Sequence, residues 1–197
     1  MTALFLDTSS NTLIISIIKN EQILAQFVLE SAREHSIYAV EKLKEVMEKN
    51  NLIPNDIEKI FVVNGPGSFT GIRIGVTIAK TYAYALNKEI VPVSSLKMAI
   101  LEFTAFDYYV SIIPDKRNYS YLGIYNREYN TIFEGLVDEE TLNNKINELT
   151  GKIKTIKREL DSESNKNLDI LSIIKYYNNE DSVNPHSVNP NYLKEVI

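Results

Sequence analysis

The apolar positions of this chain change period several times, and each change marks an element. Ala3-Leu4-Phe5-Leu6 is a short unbroken apolar run, the pattern of a buried strand, and it ends in the turn formers Asp7-Thr8-Ser9-Ser10-Asn11. Thr12 to Ile18 is apolar and β-branched, and Asn20-Glu21 reads as a tight hairpin turn into a third strand, Ile23 to Leu29. The period then becomes helical. Ile37, Val40, Leu43, Val46 and Met47 recur at three-to-four spacing and predict an amphipathic helix over about 35–50. Its cap is Ser31, through a Ser31–Glu34 box, or Ser36. Pro54 and Asp56 break the chain before a fourth strand at Ile60 to Val63. A glycine-rich turn and a helix to about Leu86 follow. A short strand, Ile90 to Val93, then leads through Ser94-Ser95 into a helical stretch to about Phe103.

The second half repeats the order. Tyr109–Ile113 and Tyr119–Tyr125 read as strands around the turn Pro114-Asp115-Lys116-Arg117-Asn118, and Thr131–Val137 reads as a third. Asp138–Leu149 reads as a helix, Ile153–Ile156 as a strand, and Ser162–Asn167 as a polar loop. Leu168–Tyr177 reads as a closing helix before an Asn/Pro-rich tail. Antiparallel strands followed by a helix and another strand, twice over, predict an α/β protein of two lobes, 1–103 and a smaller 104–197. Mixed sheets flanked by helices are expected in it.

The turn "NGPGSFTGIRIGVTIAKTYAYAL", Asn64 to Leu86, carries four glycines. It is not a phosphate loop of the G-x-x-x-x-G-K-[ST] kind, because Gly67 and Gly71 are too close and no Lys follows. Gly65, Gly67 and Gly71 miss the dinucleotide spacing by one residue. Gly71, Gly75, Ala79 and Ala83 recur every four residues, a small stripe that lets another element approach closely. Gly65, Gly67 and Ser68 precede the helix, where free N–H groups could hold an anion or simply form a tight turn. The residues leave both readings open.

Composition narrows the field. At 44% hydrophobic and 24% charged residues, the chain can build a core. A net charge of −5 argues against the chain alone gripping a polyanion strongly. It has no cysteine, which excludes disulfides, thiolate catalysis and Cys-ligated zinc. The N-terminus lacks a signal-peptide pattern, and no apolar run in it approaches the ~20 residues of a spanning helix. A cytosolic location is expected.

With these residues read, "NGPGSFTGIRIGVTIAKTYAYALNKEIVPVSSL" resembles the TsaB (YeaZ) family of subunits for bacterial tRNA threonylcarbamoyladenosine biosynthesis. "LFLDTSS", "REHS", "PDKRNYSYLGIY" and the tail "NPNYLKEV" agree with it. The likeness is dense over residues 3–101 and thin beyond. It implies the two-lobed actin and sugar-kinase fold (ASKHA) with a shortened C-terminal lobe. It also implies a non-catalytic subunit that activates a transferase paralogue, TsaD, joined by an ATPase, TsaE, with tRNA held through the complex. An independent small-molecule kinase or ATPase of the same fold is the alternative.

Catalytic and metal residues are not expected. His35 and His186 are the only histidines, and no second His lies one turn from either. Asp7, with Thr8 and Ser9, stands where nucleotide-binding relatives of the fold hold cation and phosphate, but "TSSN" lacks a glycine to wrap a phosphate. No tightly bound cofactor is therefore expected, with weak nucleotide binding at Asp7, Thr8, Ser9, Gly65, Gly67 and Ser68 left open. Asp7→Ala is expected to leave a subunit role nearly intact. Gly71, Ile72, Gly75, Val76, Ala79, Tyr82, Ala83 and Leu86 are expected to form the partner surface for TsaD, or for a second copy of the chain in isolation. Bulky residues at Gly75 or Ala79 are then expected to break the complex but not the monomer. Lys152, Lys154, Lys157 and Arg158 form the one visible basic cluster, read as an edge strand's wet face or as a tRNA contact.

Overall fold

A computed structural model describes residues 1–30, 35–161 and 167–193. The first sheet has the order β3-β2-β1-β4-β5, built from β1 (Thr2–Asp7), β2 (Thr12–Lys19), β3 (Gln22–Glu30), β4 (Lys59–Gly65) and β5 (Glu89–Ser94). β1 pairs antiparallel with β2, which pairs antiparallel with β3; β1 pairs parallel with β4, and β4 with β5. The second sheet has the order β8-β7-β6-β9, from β6 (Tyr108–Pro114), β7 (Tyr119–Asn126), β8 (Thr131–Asp138) and β9 (Ile153–Lys157). Its pairings repeat the first: antiparallel, antiparallel, then parallel between β6 and β9. Helix α1 (His35–Lys49) crosses from β3 to β4, and α4 (Glu139–Asn147) from β8 to β9. Parallel neighbours require such crossovers. Two copies of one topology therefore make up the chain, and among the described residues the second sheet lacks a fifth strand.

Both faces of β2, β1 and β4 are covered, which is why these strands read as continuous apolar runs rather than alternations. Leu4, Leu6, Ile60 and Val62 face α1 and α2 (Phe69–Leu86), which contribute Ala39, Leu43, Val46, Met47, Ile72, Val76, Ala79 and Ala83. Ala3, Phe5, Phe61, Val63, Val91 and Val93 face the other way. There they meet Ile170, Ile173, Ile174 and Tyr177 of α5 (Ile170–Tyr177).

This last packing alters the expected division at residue 103. The chain enters the second sheet with β6 but returns to the first lobe with α5, and Val188 beyond it is also buried in the first lobe's core. The first lobe is thus made of two separate stretches of sequence. Two smaller expectations also change. The helix after β5, α3 (Ser95–Met98), is only four residues long, and the chain continues in tight turns, Ile100 N–H to Lys97 O and Phe103 N–H to Ile100 O. In α1 the apolar stripe divides: Leu43, Val46 and Met47 are core, whereas Ile37 and Val40 are 63% and 61% exposed. The Ser31–Glu34 cap, most of the 162–167 loop and the last four residues lie outside the described residues.

Candidate functional site

The loop that leaves β1 is closed by the chain's own side chains. Asp7 is fully buried. Its Oδ1 accepts the Ser9 N–H at 2.7 Å, an Asx-type turn, and its Oδ2 accepts from Arg158 Nη2 at 3.1 Å. Arg158 follows β9 in the other lobe and is 4% exposed. Its backbone N–H bonds Ile112 O at 2.8 Å, which holds this residue against β6. Asn11 continues the seam, its N–H donating to Leu160 O and its side-chain amide to Asp161 Oδ1. Where a nucleotide-binding relative would present a carboxylate to a cation, this chain supplies a guanidinium from 151 residues away.

The glycine turn closes on the same loop. Ser68 caps α2, its Oγ accepting the Gly71 N–H at 3.3 Å, while the Ser68 N–H donates to Ser9 O at 2.7 Å. Thr8 Oγ1 donates to Gly71 O at 2.7 Å. A Cβ at Gly67 would collide with the Ser9 carbonyl, one at Gly71 with the Thr8 carbonyl, and one at Gly75 with Thr8 Oγ1. Gly65 has φ +120° and lies against the Asn191 carbonyl, a conformation and a space that only glycine fits. Asp7, Thr8, Ser9, Gly65, Gly67 and Ser68 are therefore brought together, but against one another. Carbonyl oxygens stand beside the turn where an anion would need donors.

The small stripe expected at the partner surface packs inside the lobe instead. Gly71, Ile72, Gly75, Val76, Ala79 and Ala83 are all buried, and Ala79 is completely so. Their smallness serves the approach of the Thr8 loop and the sheet, so a bulky residue at Gly75 or Ala79 strikes the fold itself. Tyr82 and Leu86 are half-buried. The Tyr82 hydroxyl donates to Pro54 O at 2.7 Å, and burial followed by the nearby Asp56 charge pushes its pKa up to about 12. What α1 and α2 turn outward is a different set: Ile37 and Val40 on α1, with Thr70 and Thr81 on α2 and Ile74 and Ile78 half-buried against the core.

The basic cluster also comes apart. Arg158 is buried on Asp7, Lys157 pairs with Glu159 at 3.2 Å, and Lys152 and Lys154 lie over the rings of Phe106 and Phe103. Ser94 and Ser95 are both tied by hydrogen bonds, Ser94 across to the second lobe and Ser95 within the first. Ser95 Oγ donates to Pro66 O, while Ser94 Oγ and the Tyr125 hydroxyl both bond Glu134 Oε1, at 3.3 and 2.6 Å. Burial, with Glu134 beside it, holds the Tyr125 phenol well above the usual tyrosine range.

Sequence reasoning missed two features. One is the Asp7–Arg158 pair, for which a Lys-rich strand end gave no signal. The other is a strap formed by the tail. Val183 N–H bonds Ile90 O, and Asn191 N–H bonds Asn64 O at 2.7 Å. Tyr192 stacks on Phe69 with ring centroids 4.9 Å apart.

The duplicated sheet with an interlobe seam at the β1 loop defines a two-lobed α/β protein of mixed sheets flanked by helices. The family model for tRNA N6-adenosine threonylcarbamoyltransferase, TsaD, matches residues 22–139, and the chain belongs to that family. A tRNA threonylcarbamoyladenosine biosynthesis protein TsaB from Bacillus subtilis is 36% identical over 143 residues, covering 72% of this chain and 62% of that protein. The TsaB protein of Buchnera aphidicola from Acyrthosiphon pisum is 28% identical, over 79% and 70% of the two chains. The match thus takes in less than two thirds of the Bacillus relative. In fold, the chain is similar to YeaZ from Pseudomonas aeruginosa, with a TM-score of 0.74 at 17% identity over 98% of this chain and 99% of that one. No described helix is long and apolar enough to cross a membrane.

Proposed function

We propose that this chain is a non-catalytic activating subunit in the formation of tRNA N6-threonylcarbamoyladenosine. In this reading it docks the transferase paralogue TsaD, with the ATPase TsaE completing a cytosolic complex. The observation that carries the reading is the Asp7–Arg158 pair: the carboxylate that a kinase-type relative would turn to a cation is already neutralised and sealed from solvent. Tight nucleotide use by the chain itself has no exposed acid at that loop to work with. Family membership and the TsaB relatives support the pathway. The docking surface is the outward face of α1 and α2, centred on Ile37 and Val40, because large apolar side chains exposed in proximity favour a partner. Self-association of the isolated chain would use the same face.

The test is reconstitution. TsaD, TsaE and the adenylate-forming enzyme are assayed for tRNA threonylcarbamoylation with and without this chain. Dependence on the chain, with no ATP turnover by the chain alone, is the expected result. Turnover of ATP by the chain alone, with no dependence, would instead identify an independent ATP-using enzyme.

A further inference from the structure

The strap and α2 together form an exposed aromatic and cationic surface. Phe69, Arg73, Lys80 and Tyr84 fall at i, i+4, i+11 and i+15, one stripe on the flank of α2 away from α1. The strap runs beside that stripe. His186 O accepts from Lys80 Nζ, and the His186 ring meets Tyr84 edge-on at 4.7 Å. Val188 plugs into the core. Tyr192 stacks on Phe69 and its hydroxyl accepts from Arg73 Nε at 2.8 Å, with the guanidinium 4.0 Å from the Phe69 ring centre. Phe69, Tyr84 and Tyr192 nonetheless remain 55%, 67% and 36% exposed.

Charge sets this surface apart. Phe69–Lys88 and Val183–Leu193 contain Arg73, Lys80 and Lys88 and no Asp or Glu. All 26 acidic residues lie elsewhere in the chain, with the other 18 of its 21 Lys and Arg. These two segments thus carry a cationic, aromatic ridge with no acid of their own, Glu89 and Asp181 lying just outside them, on a protein of net charge −5. Phosphates are attracted by such cations, and unpaired bases stack on exposed rings.

We propose that the α2–strap ridge is a tRNA contact surface: Arg73 and Lys80 meet backbone phosphates and Tyr84 stacks on an unpaired base. The inference rests on the tRNA-modifying role proposed above and assigns the tRNA a place on this subunit, on a flank of α2 next to the partner face. Because Arg73 also anchors the strap, the cleanest variant is Thr77→Glu, which puts a carboxylate at an exposed position one turn from Arg73 and Lys80 without removing a described contact.

The experiment uses the full chain with its transferase partner and unmodified tRNA. Filter binding over a range of salt gives the affinity and its salt slope, and initial rates give KM and kcat. Expected for Thr77→Glu and Tyr84→Ala are a several-fold rise in the KM for tRNA with kcat held. Lys80→Gln is expected to reduce the slope of log K on log salt by about 0.7–0.9, one phosphate contact. For Thr77→Glu, which removes no described contact, melting temperature and co-purification with the partner should match the parent. Lys80→Gln and Tyr84→Ala, which loosen the strap at His186, are read for tRNA affinity and slope at a temperature where co-purification holds. Unchanged tRNA affinity and slope in all three variants, with modification still dependent on the chain, overturns the ridge and leaves the subunit role standing. Loss of co-purification with tRNA affinity unchanged also overturns it and assigns the ridge to a protein partner. Modification that proceeds without the parent chain overturns the subunit role, and the ridge with it.

Discussion

Asp7 and Arg158 form the kind of buried ion pair in which each member depends on the other. Removing one leaves a desolvated charge, so Asp7→Ala is expected to cost roughly 3–5 kcal/mol by urea denaturation. The expectation from sequence is that Asp7→Ala leaves a subunit role nearly intact; the buried pair adds a cost in stability to that expectation. Arg158→Met alone should also destabilise, whereas Asp7→Leu with Arg158→Met should recover most of the loss, since paired apolar replacements leave no orphan charge. Additive losses in the double variant would mean the two groups do not act as a pair. At Gly75 the added Cβ meets Thr8 Oγ1, so Gly75→Val is expected to lower Tm sharply rather than release a partner from a folded monomer. Tyr82 makes a prediction in pH. Its phenol titrates higher in the fold than unfolded, so its contribution to stability is whole below about 10 and is lost as pH rises through about 12. Melting temperatures across that window should fall less steeply for Tyr82→Phe than for the parent.

At the scale of elements, α1 shows how far periodicity reaches. Three-to-four spacing correctly marked the helix, yet Ile37 and Val40 share its apolar pattern with Leu43 and Val46 while facing solvent. Periodicity fixes which residues share a side of a helix, but a stripe wider than the sheet it covers spills onto the surface, and only packing reveals where the core stops. Helix α2 failed the other way. Its small stripe was legible as a place of close approach, but the approaching element is the Thr8 loop, 63 residues earlier in sequence from Gly71. The strands and the doubled β-β-β-α-β order were legible because turns, β-branched runs and helical periods are local signals. The Arg158 contact and the return of α5 to the first sheet were not, because both depend on where the chain goes between elements. The exposed part of α1 carries a prediction of its own. Ile37→Glu with Val40→Glu should abolish co-purification with the transferase while leaving Tm within a degree or two, since both side chains are more than half exposed. A large fall in Tm would instead make these residues part of the fold.

Across the whole molecule, the two lobes are not independent units. One tie is chemical, the Asp7–Arg158 pair with the bonds of Asn11 to Leu160 and Asp161 and of Ser94 to Glu134. The other is topological, since the face of the first sheet opposite α1 and α2 is covered by α5, contributed after the second sheet is complete. Burying Ile170, Ile173, Ile174 and Tyr177 at roughly 1.5–3 kcal/mol each amounts to about 6–12 kcal/mol as an upper estimate. That is comparable to the ~5–15 kcal/mol that holds a typical domain together. A fragment ending at residue 103 would expose Phe5, Ile14, Phe61, Val63 and Val93 on one face of its sheet. Such a fragment is expected to aggregate or to lack dispersed amide resonances in NMR. The full chain should unfold in a single transition, followed alike by far-ultraviolet circular dichroism and tyrosine fluorescence. Adding residues 167–193 in trans as a peptide should recover some of the fragment's native signal if the missing layer is the reason it fails. A well-dispersed spectrum from residues 1–103 alone would mean that the first lobe closes its core without α5, and that the return of the chain adds docking rather than structure.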